Sequence, residues 1–143
     1  MNQEVSLPQS SAPPPPPADI QDARVWTAIH AAQEKKALNL VVLDIGPLTS
    51  FADYFVLASG TSSRHVQAVV DEIEKKLREA GTRPRHIEGY GSGEWALLDY
   101  GDFIVHVFTP DARTFYDLER LWADAHRLVV PPDGAPSPAT TQL

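Results

Sequence analysis

Proline placement bounds what this chain can fold into more tightly than any other feature. Ten of the 13 prolines lie before residue 19 or after residue 130, five of them consecutive at Pro13–Pro17, and only Pro47, Pro84 and Pro110 fall between. A segment dense in proline and poor in large apolar side chains cannot bury enough surface to offset the entropy of ordering it. Residues 1–18 and 131–143 therefore read as disordered Pro-rich tails, with Pro13–Pro17 favouring polyproline II. The 112 residues between them, 19–130, suffice for one core burying roughly 60–70% of the unfolded surface without staples. One domain is expected.

The absence of cysteine removes disulfides, thiolate metal sites and cysteine nucleophiles together. Twelve basic against 19 acidic residues leave a net charge of −7, of which Glu4 and Asp133 are the only tail contributions. Phosphate repels a surface of that sign, so an autonomous binder of DNA or RNA is disfavoured. The longest apolar runs are strand-sized, as at Leu40–Leu43, and no membrane span is expected. No basic residue precedes Arg24 and no apolar core accompanies the N-terminus, which argues against a secretory signal or transit peptide. A cytoplasmic location is the default expectation.

Asp19 can cap a first helix in which Val25, Ile29 and Ala32 repeat at helical spacing to about Lys36. Leu40–Ile45 and Tyr54–Ser59 read as buried strands around a Gly46-Pro47 turn region, with Phe51 and Asp53 in the loop. Val66, Val69, Val70, Ile73 and Leu77 form one stripe of a second helix that Ser62 or Ser63 starts and Gly81 stops. Three strand-like segments follow, Arg85–Glu88, Trp95–Tyr100 and Phe103–Phe108, and the short Tyr100-Gly101-Asp102 junction makes the last two an antiparallel hairpin. Thr109 then caps a final helix with Pro110 at its first position and Phe115, Leu118, Leu121, Trp122 and Ala125 on its apolar face. The predicted order is αββαβββα: a mixed sheet of about five strands with packed helices, an α/β or α+β domain.

The five histidines stand at least 20 residues apart, without the three- or four-residue spacing of a helical metal site. His106, between Val105 and Val107, reads as a hydrogen-bonded structural histidine. No GxSxG elbow is present. Ser59-Gly60-Thr61-Ser62-Ser63 closes a strand and opens a helix, a place where free N–H groups can hold an anion, but it lacks the lysine and glycine spacing of a phosphate loop. Gly91-Ser92 followed by Asp99 and Asp102 echoes a metal-dependent nucleotidyltransferase. Carboxylates sharing a metal on one strand face sit two apart, whereas these are three apart across a turn.

From Glu88 to Glu119 the chain carries seven carboxylates against Arg113 alone, a local net of −6. Tyr90, Trp95 and Tyr100 are set among them, and aromatics with charged neighbours are the composition of binding hot spots. Strand alternation sends Trp95, Leu97 and Asp99 to one face and Ala96, Leu98 and Tyr100 to the other, so at least one of these aromatics belongs to the core.

Three blocks then carry a resemblance: DYFVLASGTSS from Asp53, EGYGSGEWALLDYGDFIVHVF from Glu88 and RTFYDLERLWADA from Arg113. Together, in this order and with these gaps, they resemble the ribosomal silencing factor family, also called Iojap, over about residues 20–128. The resemblance implies a nucleotidyltransferase-like α/β fold without catalysis or cofactor, often dimeric when free. It implies a translational repressor that binds the large ribosomal subunit through large-subunit protein fourteen and sterically blocks joining of the small subunit when nutrients run short. It also makes Trp95, Leu98, Asp99, Tyr100 and Asp102 of the WALLDYGD block the expected partner contacts. The charge fits this expectation, since an acidic protein approaching a ribosome should meet a basic protein rather than RNA phosphates. Two rival readings are a metal-dependent nucleotidyltransferase using Ser92, Asp99 and Asp102, and a dimeric adaptor whose ligand is the polyproline tail's partner.

Overall fold

The computed structural model describes residues 20–132 and 137–138. The expected N-terminal tail and the Asp19 cap lie outside the described residues. The first helix, α1 (Ala23–Glu34), is instead capped by Asp22, whose carboxylate accepts the Arg24 N–H at 3.0 Å. It stops two residues short of the expected Lys36, which adopts a left-handed φ of 61°, while the Ala37 N–H reaches back to the Ala32 carbonyl. This is the six-to-one closure of a helix C-terminus, formed here without glycine.

Strands β1 (Leu38–Asp44) and β2 (Tyr54–Ser59) pair antiparallel. The long helix α2 (Ser63–Glu79) follows, with Ser62 as its cap and the five stripe residues Val66, Val69, Val70, Ile73 and Leu77 all buried. Next come β3 (His86–Glu88), β4 (Trp95–Asp99) and β5 (Phe103–Phe108), β4 and β5 forming the expected antiparallel hairpin. The loop before β4 is tightly constrained. A Cβ on Gly89 would lie 2.0 Å from the Trp95 carbonyl oxygen, and one on Gly93 would lie 2.8 Å from the Ser63 carbonyl oxygen of α2. Both residues also have positive φ, which accounts for glycine there.

The end of the chain departs from the expected single helix. Helix α3 (Pro110–Tyr116) begins at Thr109 and Pro110 as expected, but Asp117 turns left-handed at φ 50° and only the four-residue α4 (Leu118–Leu121) follows. The chain then forms β6 (His126–Val130) against β1, and Ser137–Pro138 pair with β6 as β7. This pairing crosses the expected domain boundary at Val130. The described sheet therefore has seven strands rather than about five, in the order β3-β4-β5-β2-β1-β6-β7, and the element order is αββαβββααββ. Only β2 and β5, at its centre, run parallel.

Alternation along the central strands divides the core in two. One face packs Val42, Val56, Leu98, Phe103, Val105 and Val107 beneath α1 and α2. The other carries Val41, Leu43, Phe55, Leu57 and Phe108, with the short α3 and α4 segments as partial cover.

Candidate functional site: the thinly covered sheet face

On the second face, β4 and β5 present three cross-strand pairs: Trp95 with Phe108, Leu97 with His106, and Asp99 with Ile104. Aromatic rings continue across it. Trp95 stacks on Phe108 with centroids 5.3 Å apart and lies 4.4 Å from Tyr116, which meets Phe115 edge-on at 5.0 Å. On the other side His106 lies 4.7 Å from Phe55, which meets Trp122 at 5.5 Å, and Trp122 meets Phe51 at 5.9 Å. Both ends of this strip emerge into solvent, with Phe115 79% and Phe51 55% exposed, and Leu121 of α4 is 73% exposed. A strip of apolar side chains of this size that reaches solvent at both ends is a candidate interaction surface. The break at Asp117 keeps Phe115 and Leu121 from the shared buried face that a continuous helix would have given them.

At the centre of the strip the Trp95 indole Nε1–H donates to His106 Nδ1 at 3.0 Å. An indole nitrogen can only donate, so Nδ1 carries no proton and the imidazole proton is on Nε2. His106 is 4% exposed, and burial holds its pKa down at about 3, so the ring is neutral at physiological pH. Its Nε2 has no hydrogen-bond partner among the described residues.

The five expected partner contacts separate. Trp95 and Asp99 stand half-buried on the thinly covered face. Leu98 is fully buried under the helices, and Tyr100 is 6% exposed and stacked on Phe103 at 4.9 Å. Their side chains belong to the core, because β4 turns its even-numbered residues toward α1 and α2. Burial raises the Tyr100 pKa, and its hydroxyl has no partner among the described residues. Asp102 is exposed at the hairpin turn, where it accepts from Arg24 at 2.7 Å, and the same guanidinium lies 5.2 Å over the Phe103 ring. Sequence reasoning missed Phe55, Tyr116 and the role of His106. Period-two spacing in β5 sends Ile104, His106 and Phe108 to one face, but only the register of β4 against β5 shows that this is the face of Trp95.

Structure also trims the acidic stretch. Asp102 is paired with Arg24, and Glu119 accepts from both Arg113 and Arg127, which hold its pKa below the ordinary glutamate value against the opposing effect of burial. Asp99 accepts the Gly101 N–H at 2.8 Å and shapes the turn. The rival constellation is split by β4 itself: Ser92 precedes the strand, whereas Asp99 ends it and Asp102 follows. Four residue steps at ~3.3 Å separate the strand's two ends by about 13 Å, too far for one metal-bound phosphate group to touch both. Among the described residues no group of three or more His, Asp or Glu side chains could hold a metal ion. The Ser59–Ser63 turn has committed much of its donor set, with Gly60 N–H bound to the Phe108 carbonyl and Thr61 N–H to His65 Nδ1. No helix among the described residues is long and apolar enough to cross a membrane.

Comparison with known proteins gives this face its context. Residues 17–142 match the model of a family described as ribosomal silencing factor during starvation. The ribosomal silencing factor RsfS of Halalkalibacterium halodurans is 41% identical over 98 residues, covering 68% of this chain and 84% of that protein. The mouse protein named mitochondrial assembly of ribosomal large subunit protein 1 is 32% identical over 113 residues, 76% of this chain and 50% of its own length. A crystal structure of a Chromobacterium violaceum protein superimposes with a TM-score of 0.69 at 40% identity, over 71% of this chain and 84% of that one. A match over this span, joined by relatives that share the fold, makes the chain a member of the ribosomal silencing factor family.

Proposed function

We propose that this protein is a cytoplasmic translational repressor that binds the large ribosomal subunit with its thinly covered sheet face and blocks joining of the small subunit by occupying volume at the joint surface. The observation that carries the reading is the aromatic strip running from Phe115 through Tyr116, Trp95 and Phe55 to Phe51, which supplies rigid apolar area ready to be desolvated. Large-subunit protein fourteen, as the family resemblance implies, is the proposed contact. Glu94 and Asp111 stand exposed near this end of the face, where carboxylates set register and on-rate against a basic partner. Trp95 is the proposed anchor and Asp99 its charged neighbour. Leu98 and Tyr100 act by shaping the strand from beneath, and Asp102 by fixing the hairpin turn through Arg24. Such a role needs neither cofactor nor catalysis. In the free protein, the same apolar residues offer the surface that a homodimer would bury.

The test is a sedimentation profile of ribosomes with and without the protein. Added protein should travel with large subunits and lower the fraction of joined ribosomes. Failure to co-sediment with large subunits removes the proposal.

A further inference from the structure

We infer that His106 is a positioning residue of the partner-binding face: its buried Nδ1 is the acceptor that fixes the Trp95 indole in the orientation a partner meets. This rests on the proposal that the sheet face carrying Trp95 is where the ribosomal protein binds.

Three observations support it. The first is geometric. The Trp95 Nε1 to His106 Nδ1 hydrogen bond, at 3.0 Å, is the one polar contact of the indole among the described residues, and the rings around it are those of Phe108, Tyr116 and His106 itself. Stacking alone permits sliding and tilting, whereas a directional hydrogen bond to a wedged ring fixes both.

The second concerns the wedge. The imidazole is 4% exposed and lies among Phe55, Phe108 and Trp95, with Leu57 and Leu97 as its cross-strand partners. It therefore has little room to turn away from the indole.

The third is energetic. Burying an imidazole with Nε2–H unpartnered works against folding, and an aliphatic residue would fill this strand position without that penalty. His106 thus gives up stability, and the feature it secures in return is the placement of a half-buried tryptophan on the binding face. Loss of binding with no loss of stability is the signature that separates this role from a merely structural one.

The experiment compares four full-length variants with the wild type for melting temperature and for affinity to purified bacterial large ribosomal subunits. His106→Leu keeps the bulk and removes the acceptor; it should melt at the same or a higher temperature and bind roughly five- to tenfold more weakly. His106→Asn puts a side-chain oxygen near the Nδ1 position and should restore binding to within about twofold of wild type. His106→Gln puts its amide near the Nε2 position and should not. Trp95→Ala reports on the face itself. If Trp95→Ala weakens binding while His106→Leu binds as the wild type does, the inference is overturned and the face assignment stands. If Trp95→Ala binds normally, the face assignment falls. Should the leucine variant fail to fold, the asparagine and glutamine pair decides, and equal affinities for those two overturn the inference. The Trp95 indole N–H resonance adds a direct readout: it should be slow to exchange with solvent in wild type and His106→Asn, and fast in His106→Leu.

Discussion

Acidification should destabilise this protein well above the range in which carboxylates titrate, and His106 should be the reason. In the unfolded chain its imidazole takes a proton below about pH 6.5, whereas in the fold burial holds its pKa at about 3. Between those values the unfolded state binds the extra proton, so stability falls as pH is lowered from about 6.5 toward 3. At pH 5 this one group should have removed about 2 kcal/mol relative to pH 7.5, approaching ~1.4 kcal/mol for each further unit. Asp22 and Glu119 have lowered pKa values, held by Arg24 and by Arg113 with Arg127. Their stabilisation is present above the ordinary carboxylate range and is lost as pH falls through it, mostly below pH 5. The interval between pH 7.5 and 5 therefore isolates the histidine. The assay is urea unfolding of wild type and His106→Leu at both values. With a slope of roughly 1–2 kcal/mol per molar, the wild-type midpoint should drop by about 1–2 M more than that of the variant. The other four histidines are common to both proteins and cancel in the difference. Equal acid sensitivity in the two proteins would refute the reasoning.

Other outcomes follow from the same structure. Trp95→Ala should lower large-subunit affinity at least about tenfold with the far-UV circular dichroism unchanged, measured by co-sedimentation beside a spectrum of the purified variant. Leu98→Ala, at a position with no exposure, should lose about 2–5 kcal/mol by denaturant titration. Arg113 bonds the Asn39 carbonyl, Ser59 Oγ and Glu119, and its removal leaves Glu119 poorly paired; Arg113→Ala should therefore destabilise by about 2–3 kcal/mol in the same assay. Phe115→Ser, at 79% exposure, should leave the melting temperature within a few degrees while weakening co-sedimentation.

The second helix and the hairpin were legible because their signals are local. Five apolar residues at helical spacing with a serine before and a glycine after describe α2 nearly to the residue, and one short junction describes the β4–β5 turn. Strand alternation correctly grouped Trp95 with Asp99 and Leu98 with Tyr100. It could not say which group would meet the helices, since that depends on where α1 and α2 dock. The end of the chain was illegible for a different reason. Phe115, Leu118, Leu121, Trp122 and Ala125 keep helical spacing across a left-handed Asp117, a conformation that aspartate tolerates without announcing it as glycine would. Strand β6 carries its β-prone signal only in Leu128, Val129 and Val130, too short a run beside the proline-rich tail to stand out, and its partner β1 lies far away in the sequence.

The placement of β1 also sets a schedule for synthesis. Its two neighbours are β2, which emerges soon after it, and β6, which ends at Val130. The parallel partner of β2 is β5, and it too arrives only after α2 and two further strands have been made. A chain leaving the exit tunnel therefore carries open hydrogen-bonding edges on both β1 and β2 until almost the whole domain is outside. Pairing across such sequence separations is slow compared with hairpin formation. The nascent form of this protein is thus exposed to edge-on association for most of its translation, and helices α1 and α2, complete by Glu79, are the elements available to shelter it.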